Sequence, residues 1–193
     1  PGLKVVMPST AADAKGLLLE SIIDNNPVIF IENRWLHNLD GNVPSNDYRV
    51  PIGKAKKLSK GNDITIVSAS YMNIEALHAV EFLEKEGIAC DLIDLRTLKP
   101  IDWEFIFSSV YVTGRLLALD TGPSTGSIAG EIIARVSMDC YESLKQAPQR
   151  IASPDFPIPT SRSLTEGFYK RAEDIIDVAS SMVGKNLVGS ELI

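Results

Sequence analysis

The fold is decided by residues 63–95, DITIVSASYMNIEALHAVEFLEKEGIACDLIDL, in which two apolar runs flank a helical pattern. Residues 64–68 and 89–95 predict buried strands, because short apolar runs of this kind are typical of a parallel sheet covered on both faces. Between them, the apolar spacing predicts a helix over 74–86 that is capped by Asn73. This helix would bury four side chains on one face: Ala76, Leu77, Val80 and Leu83. The stretch is therefore one strand–helix–strand crossover.

The same alternation of strands and helices extends to both sides. Strands are predicted at 3–7, 28–32, 52–58, 115–120 and 150–152. Helices are predicted from Thr10 to about Asn26 and at 103–110, 128–141 and 170–183. Thr10 and Asp13 have the spacing of a capping box at the start of the first helix. Strands that alternate with helices of this length indicate an α/β fold, a three-layer αβα sandwich with a mainly parallel sheet.

Residues 33–50 separate the first strand–helix–strand unit from the rest of the chain. They are rich in Asn, Asp, Gly and Pro and have no sustained periodicity, which is typical of a loop or linker. We therefore divide the chain into a first unit at 1–36, a linker at 37–50 and a main domain at 51–193. The chain begins without Met and just before a strand, so we expect it to be a piece of a longer protein.

The composition is that of a globular protein, with 45% hydrophobic and 23% charged residues among 193. The 19 Lys and Arg against 25 Asp and Glu leave a net charge of −6, without the basic surface of a nucleic-acid-binding protein. No apolar run approaches the roughly 20 residues of a membrane span. Cys90 and Cys140 form no CxxC motif and predict free, buried thiols. We expect a cytoplasmic protein that binds neither nucleic acid nor membranes.

Few residues predict chemistry by themselves. The glycine-rich stretch TGPSTGSIAG at 121–130 matches neither GxGxxG nor GxxxxGK[ST], so we interpret it as a tight strand-to-helix turn. His78 falls within a predicted helix and is interpreted as structural. His37 lies in the linker near Arg34, where it could act as an acid or bind an anion, and the alternative is an ordinary exposed loop residue.

The end of the first helix offers a second candidate site. Carbonyl and side-chain oxygens gather there at the negative end of the helix dipole, where they could hold K⁺. The residues concerned are Ser21, Ile22, Asp24 and Asn26. The alternative is a solvated helix end before Pro27.

Several stretches together resemble one family. PGLKVVMPSTAADAKGLLLESIIDNNPVIFIENRWL (1–36) resembles the end of the pyrimidine-binding domain in beta subunits of thiamine-diphosphate-dependent 2-oxo acid dehydrogenases of the pyruvate and branched-chain type. CDLIDLRTLKPID (90–102) and PDFPIPTS (154–161) resemble the transketolase C-terminal domain that follows in the same subunits. The similarity runs in order from residue 1 to about residue 183, which is far more specific than any single motif.

The resemblance implies a cofactor, partners and a role. In such enzymes thiamine diphosphate and Mg²⁺ bind between alpha and beta subunits, a 2-oxo acid is decarboxylated, and the acyl group passes to a lipoyl group of an acyltransferase component. The part represented here would serve assembly with the alpha subunit and a second beta subunit, and docking. The localisation would be cytoplasmic, or the mitochondrial matrix in a eukaryote.

The resemblance also sets expectations for sites. The family's cofactor-activating Glu and active-site His lie upstream of the part that matches residue 1, so we expect no catalytic and no cofactor-binding residue in this chain. From their place in and beside the linker, Arg34 and His37 are the predicted substrate-binding residues. The K⁺ ligands of the family match Ser21, Ile22, Asp24 and Asn26, although one further ligand lies upstream. Branched-chain members often carry Tyr-Arg where this chain has His37 and Asn38, so the substrate stays open.

Two alternatives are kept. One is the corresponding part of a transketolase or deoxyxylulose-phosphate synthase, in which Arg34 would bind a sugar phosphate. The other is a stand-alone protein-interaction module that docks through its acidic face.

Overall fold

The computed structural model describes residues 2–189, which form eight strands and six α-helices. The strands are β1 (Lys4–Val6), β2 (Val28–Phe30), β3 (Lys56–Lys57), β4 (Ile64–Ser68), β5 (Cys90–Asp94), β6 (Thr97–Lys99), β7 (Leu116–Pro123) and β8 (Gln149–Ser153). The helices are α1 (Ala11–Ile23), α2 (Met72–Lys85), α3 (Trp103–Thr113), α4 (Ile128–Asp139), α5 (Arg162–Thr165) and α6 (Ala172–Met182). Short 3₁₀ helices lie at Arg34–Asn38 and Tyr141–Ser143. In this part of the chain, no helix has both the length and the apolar character to span a bilayer.

The main sheet has five strands in the order β3-β5-β4-β7-β8. The last four are mutually parallel, and β3 pairs antiparallel with β5 at one edge. All five residues of β4 are buried, as expected for a strand covered on both faces. The prediction of a mainly parallel sheet is confirmed, and β4 has the predicted bounds.

Helices cover both faces of this sheet. Successive strand residues point to opposite faces, so Ile66 packs in a core with α2 and α6 whereas Val67 packs in a core with α3 and α4. Each fully buried Leu or Ile side chain contributes about 1.5–3 kcal/mol to the free energy of folding. The three-layer αβα sandwich is therefore confirmed.

A second, smaller sheet joins the first unit to the main domain. It has the order β2-β1-β6, in which β1 and β2 are parallel, as a strand–helix–strand crossover requires. The third strand, β6, belongs to the main domain and pairs antiparallel with β1, with Val5 opposite Lys99. The two paired strands lie on either side of the predicted linker at 37–50 in the sequence. The division of the chain into 1–36 and 51–193 stays a prediction.

Local predictions had mixed outcomes. Thr10 caps α1 as predicted, because its Oγ1 accepts a hydrogen bond from the Asp13 amide at 3.1 Å. The prediction that Asn73 caps the next helix is wrong, since α2 begins at Met72 and the side chain of Asn73 is fully buried. Leu77 does not belong to the buried face either, because it is 39% exposed.

The glycine-rich stretch and the two cysteines fit their predicted structural roles. In residues 121–130 the Ser127 side chain caps α4 by accepting the Gly130 amide at 3.2 Å, so the stretch is a strand-to-helix turn. Cys90 and Cys140 are both free and buried.

Candidate functional site

A groove lies between the start of α1, the segment after β2, and the exposed face of α2. Its volume is about 530 Å³, which is within the usual size range of small-molecule sites. Both histidines of the chain line it, His37 from the 3₁₀ helix and His78 from α2. The groove therefore brings together two side chains that are far apart in the sequence, and it does so at the junction of the two sheets.

The lining of the groove is mostly apolar and includes a few polar side chains. Apolar contacts come from side chains that include Leu36, Leu39, Ile74 and Leu77. The polar lining residues include Glu32, Asp40 and the two imidazoles. An imidazole can donate or accept a hydrogen bond, so this arrangement can hold a small apolar molecule and orient its polar group.

Arg34 and His37, the predicted substrate-binding residues, have different positions. His37 lines the groove, whereas Arg34 is exposed on the same 3₁₀ helix and is not among the groove's lining residues within the described part of the chain. Their role in binding substrate stays a prediction. Sequence reasoning interpreted His78 as structural, but it is exposed and faces the groove.

A buried polar cluster lies beside the groove and was not predicted. We define it as Ser9, Ser68, Asn73 and Asp94, all of them at most 5% exposed. Ser9 lines the groove, and its hydroxyl donates to the Asp94 carboxylate. Asn73 donates to the Ser9 hydroxyl at 3.1 Å and accepts from the Ser68 hydroxyl. Because buried polar groups need such partners, the cluster fixes the chain before α1 against β4, α2 and β5.

Asp94 is the acidic member of this cluster. Burial raises the pKa of its carboxyl, and the hydrogen bonds from the Ser9 hydroxyl and the Arg96 amide oppose that rise. The Arg96 amide lies 2.9 Å from the carboxylate. A signal in the sequence was available, because Asp94 lies within the buried strand predicted at 89–95, where a carboxylate needs partners from elsewhere in the fold.

An ion pair ties α1 to the turn after β5. Nη2 of Arg96 lies 2.5 Å from Oδ1 of Asp13, whose side chain is 3% exposed. Lys56 adds a second, longer contact to the same carboxylate at 3.8 Å. Arg96 has a left-handed backbone with φ of 56°, which is costly for a residue other than glycine and is held by the surrounding contacts. Asp13 was predicted only as a capping residue, so sequence reasoning missed this clamp.

Aromatic rings hold the 3₁₀ helix that carries His37. Trp35 packs edge-to-face against Tyr71 and Tyr169, with ring centroids 4.8 and 5.0 Å apart. The Arg171 guanidinium lies over the Trp35 ring at 5.6 Å. Pairs of this geometry contribute about 0.5–1.5 kcal/mol each beyond their buried area. Burial, together with a hydrogen bond to Glu75, raises the pKa of Tyr71 to about 12.

The predicted K⁺ ligands lie together at the end of α1. The Ser21 hydroxyl donates to the Leu17 carbonyl at 2.7 Å, and the Ile22 side chain is 70% exposed. Asp24 accepts hydrogen bonds from Lys4 and from the backbone and side chain of Asn26, and these bonds lower its pKa to about 2. Asp24 therefore already has a cationic partner in Lys4. Between residues 2 and 189, no three His, Cys, Asp or Glu side chains form a metal-binding group. The K⁺ site stays a prediction.

Comparison with known proteins identifies beta subunits as relatives. The chain is 41% identical over 179 residues to the acetoin:2,6-dichlorophenolindophenol oxidoreductase subunit beta of Cupriavidus necator, covering 93% of this chain and 53% of that protein. It is 39% identical to the 2-oxoisovalerate dehydrogenase subunit beta of Bacillus subtilis, with 93% and 55% covered. It is 37% identical to the pyruvate dehydrogenase E1 component subunit beta of Cyanidium caldarium, with 95% and 56% covered. The chain thus spans about half the length of these relatives.

A solved structure and a family model agree with the fold. The solved structure, described as a split-gene transketolase in an inactive beta4 tetramer, matches with a TM-score of 0.77 at 25% identity and covers 97% of this chain and 60% of that one. The model of the transketolase C-terminal domain matches residues 53–175, well over half of the chain. These residues include the whole main sheet with α2, α3 and α4. The chain therefore belongs to the transketolase C-terminal domain family.

Proposed function

We propose that this chain is the C-terminal section of the beta subunit of a thiamine-diphosphate-dependent 2-oxo acid dehydrogenase, and that it serves subunit assembly and docking. The similarity to the named beta subunits, which covers at least 93% of the chain, carries this proposal. A match over the first unit, the linker and the main domain supports a beta subunit more strongly than a match to the main domain alone would.

The proposed assembly needs partners that supply the chemistry. An alpha subunit and a second beta subunit would complete the sites for thiamine diphosphate and Mg²⁺, and a lipoyl acyltransferase would accept the acyl group. The cofactor would stabilise the carbanion formed on decarboxylation. This section would position the assembly and would not turn over substrate by itself. The proposed location is the cytoplasm, or the mitochondrial matrix in a eukaryote.

Exposed apolar side chains support a role in assembly. In the first unit, Leu3, Ile23 and Ile29 are 43–50% exposed and Ile22 is 70% exposed. Large apolar side chains concentrated on one small unit are typical of surfaces that contact another protein. We infer that the outer surface of α1, with Ile22 and Ile23, and the sheet face that carries Ile29 contact further protein in the assembled enzyme.

The groove is the proposed place where this section approaches the substrate or the lipoyl group. His37 would contact the polar end of that molecule, Arg34 would act from the exposed side of the same helix, and Ser21, Ile22, Asp24 and Asn26 would contribute to K⁺ binding. The rigid support of His37 by the Trp35 contacts favours such a role, because a binding residue must be held in place.

The first test is turnover by the whole beta subunit assembled with its alpha partner. Pyruvate, 2-oxoisovalerate and acetoin are supplied with thiamine diphosphate, Mg²⁺ and 2,6-dichlorophenolindophenol as electron acceptor, and the 193-residue chain is tested in parallel. We expect turnover of a 2-oxo acid by the assembly and none by the chain alone. Turnover of acetoin only would favour the activity named for the Cupriavidus necator relative. Absence of all three activities in a correctly assembled enzyme would refute the proposal.

A second test addresses His37. In the assembled enzyme, His37→Asn should lower kcat/KM about tenfold, because the shorter amide does not reach the polar group of the substrate that the imidazole would contact. His78→Asn is the matched control, since His78 lines the same groove from α2 but has no predicted substrate role. Equal effects of the two substitutions would contradict the specific role of His37. If sugar phosphates were turned over and Arg34→Gln had the larger effect, the transketolase alternative would be favoured.

A further inference from the structure

A second cavity lies at the carboxyl edge of the main sheet; it shares Asn33 with the groove but is lined by neither histidine. After β4 the chain passes through α2 to β5 on one side of β4, and it later returns through α3 to β7 on the other side. The connections therefore reverse direction between β4 and β7. In open α/β sheets such a switch point leaves a crevice outside the strand ends, and this is where ligands bind.

The cavity occupies this crevice. Its volume is about 240 Å³, slightly below the size range of drug-sized ligand sites. Tyr71 and Met72 line it after β4, Asp120 and Thr121 line it from β7, and Ser153 lines it at the end of β8. The remaining lining residues are Asn33, Trp35, Tyr169 and Lys170. The cavity therefore suits a small molecule, and every wall described belongs to this chain.

Three aromatic rings form one side of the cavity. Tyr71 and Tyr169 both pack edge-to-face on Trp35, with interplanar angles of 76° and 70°. The face of an aromatic ring carries partial negative charge and attracts a cation within about 6 Å of its centre. Trp35 already attracts the Arg171 guanidinium in this way.

A carboxylate without a cationic partner forms another side. Oδ1 of Asp120 accepts a hydrogen bond from the Gly122 amide at 2.8 Å, and Oδ2 accepts one from the Ile128 amide at 2.9 Å. These two amides fix the carboxylate without supplying a full positive charge. Among the residues that the structure describes, no Lys or Arg nitrogen lies within 4.0 Å of Asp120. Lys170, which also lines the cavity, contacts Asp174 at 3.2 Å instead.

We propose that this cavity binds a small organic ammonium ion. Asp120 would neutralise its charge, and the rings of Trp35, Tyr71 and Tyr169 would surround its alkyl groups. A neutral molecule of the same shape would forgo both interactions, and an anion would meet the Asp120 carboxylate. The proposal is independent of the dehydrogenase function, because it uses only residues of this chain and no cofactor or partner subunit.

Binding is tested with choline and with its uncharged isostere, 3,3-dimethylbutan-1-ol. In a Trp103→Phe background Trp35 is the only tryptophan, so its fluorescence reports on the cavity directly. Saturation-transfer NMR supplies a second readout that does not depend on tryptophan. We expect saturable binding of choline, with affinity at least about tenfold higher than that of the alcohol, because a cation–π contact and an ion pair are both absent for the alcohol.

Asp120→Asn should weaken choline binding about tenfold and leave binding of the alcohol unchanged. Asp155→Asn is the matched control, since Asp155 also accepts a backbone amide in this loop region, from Thr125, but does not line the cavity. Tyr169→Leu removes one ring, keeps Asp120, and should also weaken choline selectively; it serves as the test if Asp120→Asn fails to fold. Equal affinity for choline and the alcohol, no saturable binding of choline, or equal loss in the Asp155 control would each overturn the proposal.

Discussion

Replacing Arg96 by Met tests whether the clamp between α1 and the turn after β5 stabilises the fold. Met keeps the unbranched apolar stem, and the left-handed backbone at this position disfavours Met as much as Arg. The change leaves the carboxylate of Asp13, whose side chain is 3% exposed, with Lys56 at 3.8 Å and the Thr10 hydroxyl at 2.9 Å as its remaining side-chain partners in the described residues. Removing one partner of a buried ion pair costs about 3–5 kcal/mol.

The remaining contacts place the expected loss at the lower end of that range, about 3 kcal/mol. In a chain of this size that corresponds to a fall in Tm of about 6–12 °C. Asp13→Asn alone should cost a similar amount, because the Arg96 guanidinium is then left without its partner. The double variant should cost less than the sum of the two, with a coupling free energy of about 1–3 kcal/mol.

The assay is urea unfolding of the 193-residue chain at neutral pH, followed by far-UV circular dichroism, together with hydrogen exchange of the α1 amides. Hydrogen exchange shows whether the loss is global or confined to detachment of α1. The control is Lys85→Met, which breaks the exposed pair with Glu81 and should leave Tm unchanged. Additive effects of the two clamp substitutions, or a loss below about 1 kcal/mol for each, would refute the role assigned to the pair.

Three further predictions concern buried groups. Burial raises the pKa of Asp94 above its ordinary value of 3.8, so native Asp94 still holds its proton at pH values where the unfolded carboxyl has released it. The free energy of unfolding should therefore fall as pH rises from about 3.8 through the native pKa. Urea unfolding across this pH range should show a smaller fall for Asp94→Asn, and identical slopes for the two proteins would contradict this. Gly61→Ala should cost about 1–3 kcal/mol or more, because its Cβ would lie 2.2 Å from a neighbouring backbone carbonyl. Gly41→Ala, whose Cβ would have its nearest contact at 3.6 Å, should leave Tm unchanged, and equal Tm shifts would count against the clash. Burial raises the pKa of Cys90 to about 12, so iodoacetamide should label this thiol only after unfolding, and rapid labelling of the native chain would contradict its burial.

The main sheet could be predicted because its signal is local. β4 and β5 are buried throughout and β7 begins with a buried apolar run, as expected for parallel strands covered on both faces, whereas β8 (QRIAS) has a weaker signal because its first two residues are exposed. β6 could not be predicted in this way, because its three residues, Thr97–Lys99, carry no pattern. Its strand conformation depends on pairing with β1, which belongs to the first unit and precedes the predicted linker in the sequence. Non-local pairing of this kind is invisible to periodicity.

The errors at α2 have the same origin. Asn73 is a favourable capping residue in isolation, but its amide is required inside the buried polar cluster, where it joins Ser68 to Ser9. The chain instead turns at Ser70, which has a positive φ of 52°, and the helix begins earlier. Leu77 was expected inward because it is apolar, but α6 packs against the other side of α2 and leaves this residue facing the groove.

The candidate site was predicted least well, because it depends on how the two sheets meet. His37 was a candidate substrate-binding residue in the sequence, with an ordinary exposed loop residue as the alternative. Its neighbour in the groove, His78, was not, since one lies after β2 and the other within α2. No spacing rule connects these positions. The β1–β6 ladder, the buried contacts of Ser9 and the packing of Trp35 on Tyr71 bring the two segments together.

The contacts that stabilise the junction therefore also set the geometry of the groove. One wall comes from the residues around α1, the other comes from α2, and the buried polar cluster connects them through Ser9 and Asn73. The Asp13–Arg96 pair connects the same end of α1 to the turn after β5. Loosening either connection lets α1 move relative to α2, which changes the separation of the groove walls before the main sheet is affected. Substitutions at Asp13 or Arg96 should therefore weaken binding in the groove as well as lower the free energy of unfolding. They should do so although neither residue carries the proposed substrate contact.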